Sequence, residues 1–516
     1  MPGVSRPRTA AITNLGCKVN QAELDAVERL LRRRRVRLVD DHRPADLYVV
    51  NTCTVTAVAD QKSRQAVRRA RRANPAAAVL VTGCSVQVAP GALRDADPDA
   101  HLVDNRAKDR LLAELERLLE LPDGIELPTL AGVERAADGV ERAADGVERA
   151  ADGDAAWPTL APGIEGIADE RTTIDRTRAF VKVQDGCSFH CTYCIIPRAR
   201  GPERSLAPET VLADVRRALR AGHREIVLTG INVGTYDGGA SEPGPRGSHA
   251  WEALSLAGLV RRIVAETDVE RIRLSSIEPQ HVTDELLATW AAGAGRCLPH
   301  FHLPLQSGDD GVLRRMGRRY TAAEYAAIVG RLRAAIPEVA VYADVIVGFP
   351  TEDEAAFRRT VGLVRDLGLA GLHVFRYSGR PGTPAARMAG QVDEATRKRR
   401  SAELLALARE RRRAFAASRA GRELRVLFEE RLPDGRWVGH AEDHVLVAVP
   451  APAGVSLGNV IGTVLAGAPE ADAPDRLSGR LAALSPARRA RLPRRAGGPA
   501  TLPAGEPSAV PVAGAI

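Results

Sequence analysis

The stretch that decides the fold runs from Gln184 to Pro197 and reads QDGCSFHCTYCIIP. It places Cys187, Cys191 and Cys194 at the spacing C-x3-C-x2-C, so three thiolates come from one short loop. Tetrahedral zinc and cubane iron–sulfur clusters usually take four protein ligands. The question raised by this loop is what occupies the fourth position.

The compact spacing favours a [4Fe–4S] cluster, because one loop can supply three corners of the cube and leave the fourth iron open. An open metal position is typical of catalytic sites, whereas structural sites fill it. Zinc is the alternative, and it would need a fourth ligand nearby. His190, inside the loop, is the local candidate.

Strand and helix patterns alternate from residue 173 to about 405. This rhythm predicts about six β/α units, a partial (β/α)6 barrel whose chemistry lies at the carboxyl ends of its strands. The three-cysteine loop follows the first of these strands. The strand candidates are RAFVKVQ, EIVLTG, RIRLSS, HFHLPL, VYADVIVG and GLHVFRYS.

The first 118 residues show the same alternation and predict a Rossmann-like parallel α/β domain. Cys17, Cys53 and Cys84 each follow one of its three predicted strands, TAAITNL, ADLYVVNT and AAVLVTG. Since parallel strands end at one edge of a sheet, we expect the three cysteines to meet there. The alternative is three unrelated buried thiols.

Residues 119–172 differ in composition and contain GVERAAD three times in tandem, from Gly132 to Asp152. The glycines interrupt a weak helical stripe, so we interpret the segment as a linker. Residues 415–468 show short strands and turn signals that predict a small antiparallel, OB-like β-barrel. Residues 469–516 are rich in Ala, Pro and Arg and predict a disordered tail.

The composition is that of a soluble globular chain, with 516 residues, 45% hydrophobic and 27% charged. Lys and Arg exceed Asp and Glu by 73 to 65, a charge of +8 that permits a polyanionic partner without requiring one. The sequence shows neither a signal peptide nor a membrane-spanning stretch, which predicts the cytoplasm. In that reducing compartment, clustered cysteines favour metal binding over disulfides.

The cysteine loop, with Tyr193 before its last cysteine, resembles the signature of radical S-adenosylmethionine enzymes. NLGCKVNQAE, VVNTCTVTAVADQKSRQAVRR and VTGC resemble the N-terminal domain of methylthiotransferases. The terminal barrel resembles the TRAM domain, an RNA-binding module of that family. The resemblance covers nearly the whole chain and implies a radical S-adenosylmethionine methylthiotransferase.

The motif LGCKVNQ around Cys17 is similar to the family branch that acts on threonylcarbamoyladenosine in tRNA. The isopentenyladenosine branch typically has Gln–Met after this cysteine, and the branch that modifies a ribosomal-protein aspartate has Pro–Lys. The resemblance therefore implies conversion of N6-threonylcarbamoyladenosine at tRNA position 37 to its 2-methylthio derivative. The other two substrates, and a non-enzymatic zinc-containing RNA-binding protein, remain as alternatives.

The resemblance also implies cofactors: two [4Fe–4S] clusters and S-adenosylmethionine. Cys187, Cys191 and Cys194 would hold the cluster that binds S-adenosylmethionine, and the other three cysteines would hold an auxiliary cluster. Further expected contacts to S-adenosylmethionine are Tyr193, Thr229, Gly230, Asn232, Ser275, Glu278, Gln306 and Gly348. The expected partners are the tRNA anticodon loop, a low-potential electron donor and a sulfur donor, with the protein acting as a monomer away from membranes.

Three other residues have alternative readings. Arg376 either contacts substrate or forms a salt bridge at the barrel rim, Cys297 is expected to be a core thiol, and His302 to be a packed histidine rather than a ligand. Arg198 stands where the family usually has Tyr, so the sequence leaves the substrate contacts of that loop open.

Overall fold

The computed structural model describes residues 9–105, 110–120, 177–240, 253–452 and 455–484. The GVERAAD copies and the chain after Leu484 lie outside the described residues. Within the described part, no helix combines the length and the apolar character needed to cross a membrane.

The N-terminal sheet has five parallel strands in the order β2-β1-β3-β4-β5. The strands are β1 (Thr9–Asn14), β2 (Arg37–Val39), β3 (Leu47–Thr52), β4 (Ala78–Gly83) and β5 (His101–Val103). The helices are α1 (Lys18–Arg33), α2 (Ala57–Ala73), α3 (Cys84–Val88), α4 (Pro90–Arg94) and α5 (Arg110–Glu120). Apolar clusters cover both faces of the sheet, so the central strand β3 is buried along its whole length. The expected parallel α/β sheet is confirmed, and β2 and β5 add two short strands.

The central region contains six parallel strands in two sheets of three, ordered β10-β9-β6 and β11-β12-β13. Single bridges, Ile272 to Cys297 and Ser276 to His302, join the two sheets. The expected partial (β/α)6 barrel is therefore confirmed. The strands are β6 (Arg178–Lys182), β9 (Glu225–Thr229), β10 (Arg271–Leu274), β11 (His300–His302), β12 (Ala340–Val347) and β13 (Gly371–Arg376), with an antiparallel pair β7 (Gln184–Asp185) and β8 (Arg204–Ser205) near the cysteine loop.

Eight helices of the described chain accompany these strands. They are α6 (Ile196–Arg200), α7 (Pro208–Arg220), α8 (Leu256–Glu266), α9 (Asp284–Ala292), α10 (Asp310–Met316), α11 (Ala322–Ala335), α12 (Glu354–Asp366) and α13 (Glu394–Ala417). Short 3-10 turns lie at Val233–Thr235, Pro279–His281 and Pro384–Arg387. Several helices begin with a side-chain cap, such as Thr321, which forms a capping box with Glu324 at the start of α11.

Side-chain alternation along the barrel strands separates an apolar outer face from a polar lumen. On β12, Val341, Ala343 and Val345 are buried in the main hydrophobic cluster beneath the helices. Between them, Tyr342 and Asp344 face the lumen and keep partial exposure. The other lumen-facing polar residues are Arg178, Lys182, Glu225, Thr229, Arg271, Arg273, Ser275, His300, His302 and His373. The lumen is thus a polar chamber rather than a packed core.

The C-terminal domain is a closed five-stranded barrel in the order β14-β15-β16-β18-β17. Its strands are β14 (Glu423–Arg431), β15 (Trp437–His440), β16 (Leu446–Val449), β17 (Ile461–Pro469) and β18 (Arg476–Leu484). Four strand pairs are antiparallel, but β16 and β18 run parallel. The expected small, OB-like β-barrel is therefore confirmed, and the parallel pair of β16 and β18 is a detail that the antiparallel prediction did not include.

The strand β18 also corrects the predicted end of this domain. It lies within residues 469–516, which the sequence assigned to a disordered tail. Its sequence RLSGRLAAL has the Ala- and Arg-rich composition of that tail and no β-branched residue, so no local signal marks it as a strand. Pairing with β16 and β17 supplies the backbone hydrogen bonds that its composition does not predict.

Two buried arginines attach the C-terminal barrel to the amino-terminal mouth of the (β/α)6 barrel. Arg271 donates to the carbonyl oxygens of Arg425 at 2.9 Å and of His440 at 3.2 Å. Arg273 donates to the carbonyl oxygen of Glu442 at 3.3 Å. Both guanidinium groups also bind Glu225, at 2.7 and 2.9 Å. The turn after β15 therefore seals the floor of the lumen.

Two stacked imidazoles make this contact sensitive to pH. The rings of His300 and His444 lie 4.9 Å apart across it. Burial, with further positive charges nearby, lowers the pKa of both histidines well below the usual 6.5. The contributing neighbours are Lys18, Arg178, Arg273, His302 and His440. Both rings are consequently neutral in the folded protein at neutral pH.

We expect the folded protein to lose stability as the pH falls from 7.5 to 5.5. Because folding lowers the pKa of both histidines, the unfolded chain binds more protons than the folded protein below about pH 6.5. Each histidine therefore lowers the free energy of unfolding by up to about 1.4 kcal/mol for every further pH unit. Thermal unfolding at the two pH values measures the loss. His444→Asn tolerates the left-handed backbone at this position (φ 74°) and should reduce the pH slope. His42→Asn, at an exposed side chain, should leave it unchanged, and equal slopes in both variants would contradict the assignment.

Candidate functional site

Main-chain contacts hold the cysteine loop in a fixed shape after β6 and β7. The amide of Cys187 donates to the carbonyl of Gly201 at 3.1 Å, and the amide of Thr192 donates to Met316 at 2.9 Å. Gly186 has φ 71°, and a Cβ there would lie 1.8 Å from the carbonyl oxygen of Pro202. Glycine is therefore required where the chain turns into the loop.

The three thiols of the loop lie within electrostatic range of one another. Burial raises the pKa of Cys187 to about 11 and that of Cys194 to about 12, and Cys191 adds to both shifts. These raised pKa values favour the neutral thiols of Cys187 and Cys194 when nothing is bound. Cationic metal centres offset this preference, since coordinated thiols lose their protons.

The second set of cysteines gathers at the carboxyl edge of the N-terminal sheet, as its strand order requires. Cys17 follows β1, Cys53 follows β3 and Cys84 follows β4, and these three strands are neighbours. Burial raises the pKa of Cys17, and that of Cys53 to about 12, with Cys84 adding to both shifts. Asn20 and Asn105 are within hydrogen-bond distance of Cys17 and Cys84, respectively. The structure thus brings together residues that are distant in sequence.

Zinc would need a fourth ligand beside either set of three cysteines. Among the described residues, the group of ligand atoms close enough to hold one metal ion is His302, Asp344 and His373, which contains no cysteine. Three thiolates alone suit a cubane, whose ligands bind different iron atoms.

Contacts between the two domains fix the cysteine sets relative to each other. Asn105, beside Cys84, donates to the carbonyl of Ala199 at 2.7 Å, in the helix that follows the cysteine loop. Arg200 donates to Asn20 at 2.7 Å and forms an ion pair with Glu23 at 3.0 Å. On the other side, Arg380 donates to Thr54 Oγ1 at 2.9 Å and pairs with Asp60. The two sets of thiols therefore lie on either side of one contact between domains.

Polar atoms without partners cluster at the strand ends near the cysteine loop. Among the described residues, Thr229 Oγ1, Ser275 Oγ, Gln306 Oε1 and both amide atoms of Asn232 are buried and lack a hydrogen bond. A buried polar atom left unpaired costs about 1–3 kcal/mol, so several together indicate a bound polar ligand. The amino, carboxylate and hydroxyl groups of S-adenosylmethionine fit this donor and acceptor set.

Comparisons with known proteins agree with this geometry. Residues 9–104 match a family described as uncharacterized protein family UPF0004, and residues 181–364 match the radical SAM superfamily. The chain is 34% identical over 444 residues to threonylcarbamoyladenosine tRNA methylthiotransferase MtaB of Bacillus subtilis, covering 85% of this chain and 90% of the relative. This chain belongs to the radical SAM methylthiotransferase family. The family expected from the sequence is confirmed, and this match supports the expected branch.

Other relatives extend the comparison. The tRNA-2-methylthio-N(6)-dimethylallyladenosine synthase of Maricaulis maris is 33% identical, covering 91% of this chain and 96% of that protein. The radical S-adenosylmethionine methyltransferase TsrM of Kitasatospora setae superposes with a TM-score of 0.48 at 17% identity, covering 73% of this chain and 75% of that one. The methylthiotransferase is thus an enzyme that uses S-adenosylmethionine and an iron–sulfur cluster.

Arg318 is a residue of the methylthiotransferase site that the sequence did not single out. Its guanidinium lies 3.5 Å from Cys191 Sγ and 3.5 Å from the hydroxyl of Tyr193, and it donates to Tyr320 at 3.0 Å. It also forms an ion pair with Glu278. In the sequence it stands in the run RRMGRRY, which has the pattern of a solvated charged face.

The remaining predicted residues occupy defined positions. Glu278, expected to meet S-adenosylmethionine, is paired with Arg318. Gly230 packs against Gln184, because an added Cβ would lie 2.9 Å from its Oε1. Gly348 has φ 71°, and an added Cβ would lie 2.1 Å from Arg397 Cγ, so only glycine fits.

The structure also shows the positions of the three residues for which the sequence left two interpretations, Arg376, Cys297 and His302. Arg376 forms an ion pair with Glu394, which matches the salt-bridge reading. Cys297 is a buried thiol in the main hydrophobic cluster. His302 is buried as expected, and its Nε2 lies 2.8 Å from Asp344 Oδ1.

Arg318→Gln should make the cluster of the methylthiotransferase harder to reduce. The variant loses a cationic hydrogen bond to Cys191, and this bond stabilises the negative charge of the reduced cluster. The reduction potential should therefore become more negative by roughly tens of millivolts. A redox titration followed by electron paramagnetic resonance measures the shift. Arg314→Gln, at an exposed position of α10, is the matched control. Equal potentials in the two variants would show that Arg318 does not act on the cluster.

Proposed function

We propose that this protein converts N6-threonylcarbamoyladenosine at position 37 of tRNA to its 2-methylthio derivative. The observation that carries the proposal is the placement of two sets of three free cysteines on either side of one contact between domains. The name of the Bacillus relative, a threonylcarbamoyladenosine tRNA methylthiotransferase, supports the substrate.

In this proposal, Cys17, Cys53 and Cys84 hold a second [4Fe–4S] cluster. Their sulfurs gather at one sheet edge, and each belongs to a different strand connection, so the site forms only when the sheet is folded. This cluster would supply the sulfur that joins the substrate. Cys187, Cys191 and Cys194 would hold the other cluster, and the unpaired atoms of Thr229, Asn232, Ser275 and Gln306 would bind S-adenosylmethionine beside it.

The protein contributes position and shielding to the reaction. When bound, the clusters and S-adenosylmethionine supply the radical that removes hydrogen from adenine C2, the sulfur, and the methyl group. Arg318 orients Tyr193 and the Cys191 thiolate. Asn105, Arg200 and Arg380 fix the distance across which the adenine is held. The turn after β15 closes the lumen against water from below.

The partners follow from this chemistry. An anticodon-loop base can leave its stack and enter a pocket, whereas a paired base cannot. The closed C-terminal barrel, which resembles an RNA-binding module, is proposed to hold the rest of the tRNA. A low-potential electron donor and a sulfur donor complete the set, and the cytoplasm, where tRNA is available, is the proposed location of a monomeric enzyme.

We expect about eight irons per chain after anaerobic reconstitution, because two cubanes hold four each. Replacing Cys17, Cys53 and Cys84 together by Ser should leave about four, with the loop cluster intact. Cys297→Ser is the matched control, since its thiol is packed in the core, and it should keep about eight. Iron analysis gives the counts, and about four irons in the unaltered protein would overturn the two-cluster proposal. A colourless protein containing zinc would overturn both clusters.

Mass spectrometry of tRNA nucleosides from cells lacking the gene tests the substrate. Loss of 2-methylthio-N6-threonylcarbamoyladenosine, restored by the unaltered gene but not by the triple-serine variant, is the expected result. Loss of the methylthio group from isopentenyladenosine would replace the proposed substrate by that nucleoside. A modified ribosomal-protein aspartate that disappears while tRNA is unchanged would move the protein to the third branch.

A further inference from the structure

Two buried nitrogen donors in the barrel lumen have no partner among the described residues. Arg273 uses Nε for Glu225 and Nη1 for the carbonyl of Glu442, but its Nη2 is buried and unpaired. On the neighbouring strand, His300 Nδ1 is also buried and unpaired. The two side chains are 3% and 7% exposed, respectively. Because unpaired buried polar groups are rare in native proteins, these atoms indicate a ligand.

Lys18 brings a further positive charge to the same region. It is the first residue of α1, next to Cys17, and α1 packs against the edge strand β6. Its ammonium group lies within electrostatic range of Arg178, Arg273, His300, Asp344 and Cys17. Within the described chain, its ammonium group has neither a hydrogen bond nor an ion pair. Positive charges brought together without a partner favour binding of an anion.

Asp344 does not supply that anion, because two imidazoles already engage it. His302 Nε2 and His373 Nδ1 lie 2.8 and 3.3 Å from the same carboxylate oxygen. Ser276 is hydrogen-bonded to the other nitrogen of His302 at 2.8 Å and fixes the orientation of that ring. The carboxylate of Asp344 is thus directed to the two histidines, and the ammonium group of Lys18 remains available to an anionic ligand.

Several polar side chains of the lumen remain accessible to solvent. Tyr342 and Asp344 keep partial exposure although their strand neighbours are buried, and the side chain of His373 is 41% exposed. The lumen lies below the strand ends that carry the unpaired atoms of Thr229 and Ser275. The N6 substituent of a base held between the cysteine sets would enter the barrel from these strand ends.

We propose that Lys18, Arg273 and His300 form a carboxylate-binding pocket that receives the carboxylate of the threonylcarbamoyl substituent. This inference rests on the proposed function. A carboxylate would accept hydrogen bonds from the unpaired nitrogens and offset the charge of Lys18. An apolar N6 substituent would leave all three groups without a partner, so the pocket selects against it.

The test compares two anticodon stem-loop RNAs on the unaltered holoenzyme. One carries threonylcarbamoyladenosine, and in the other the threonyl carboxylate is converted to its neutral amide. We expect KM for the amide RNA to be roughly 10- to 100-fold higher, the range for a lost charge-assisted hydrogen bond. Equal KM values would overturn the pocket, and this comparison needs no variant to fold.

The variant Lys18→Gln tests whether Lys18 causes the difference in KM between the two RNAs. We expect this variant to raise KM for the carboxylate RNA by roughly 10-fold or more and to change KM for the amide RNA little, because the lost charge has no partner there. Lys398→Gln, at an exposed position of α13, should behave as the unaltered protein with both RNAs. An equal rise of KM for both RNAs in Lys18→Gln would indicate a structural role and overturn the pocket.

S-adenosylmethionine also carries a carboxylate, and the experiment separates the two sources. Cleavage of S-adenosylmethionine is measured without RNA in the same variants. If Lys18→Gln raises KM for S-adenosylmethionine and leaves the two RNAs equivalent, the pocket serves the cofactor and the inference is wrong. Failure of the unaltered enzyme to modify the threonylcarbamoyl RNA, with activity on isopentenyl RNA, would instead overturn the proposed function itself.

Discussion

Strand direction is the constraint on which the rest of the structure depends. In a parallel sheet every strand ends at the same edge, so residues far apart in sequence gather there. One such edge collects Cys17, Cys53 and Cys84, and the edge of the second sheet collects the cysteine loop and its polar neighbours. Because α3 packs against α6, the two edges lie against each other. The proposed second cluster would therefore depend on the same rule of strand direction that places the cysteine loop.

The barrel places its apolar residues outside and its charges inside, and this arrangement has an energetic cost that pairing offsets. Glu225 is fully buried between two arginines, which, after the opposing effect of burial, hold its pKa well below the usual range. The two histidines at Asp344 likewise hold the pKa of that carboxyl below the usual range. Removing one partner of such a set would leave a buried charge without a partner, so each set stabilises the fold only when it is complete. Some hydrogen-bond donors of the lumen have no partner among the described residues. The free-energy cost of burying them is offset only when a ligand binds.

Much of the site could be predicted because its signals are local. The spacing of Cys187, Cys191 and Cys194 lies within eight residues, and the other cysteines could be brought together by the strand-end rule alone. The sequence could not predict the role of Arg318 or the contact between Asp344 and His373, since both depend on which strands become neighbours. The strand β18 was missed for a different reason: its Ala- and Arg-rich sequence has no strand pattern, and only pairing with β16 and β17 makes it one.

The seal at the floor of the barrel has a consequence for how the enzyme is made. The segment that closes the amino-terminal mouth, around His440 and Glu442, leaves the ribosome after all six barrel strands. Until it emerges, Arg271 and Arg273 face solvent and the chamber is open at its lower end. The strand that completes the C-terminal barrel, β18, ends at Leu484. A chain cut short before β14 would retain all seven cysteines yet lack the floor, so enclosure of the lumen depends on a domain that follows every cysteine in the sequence.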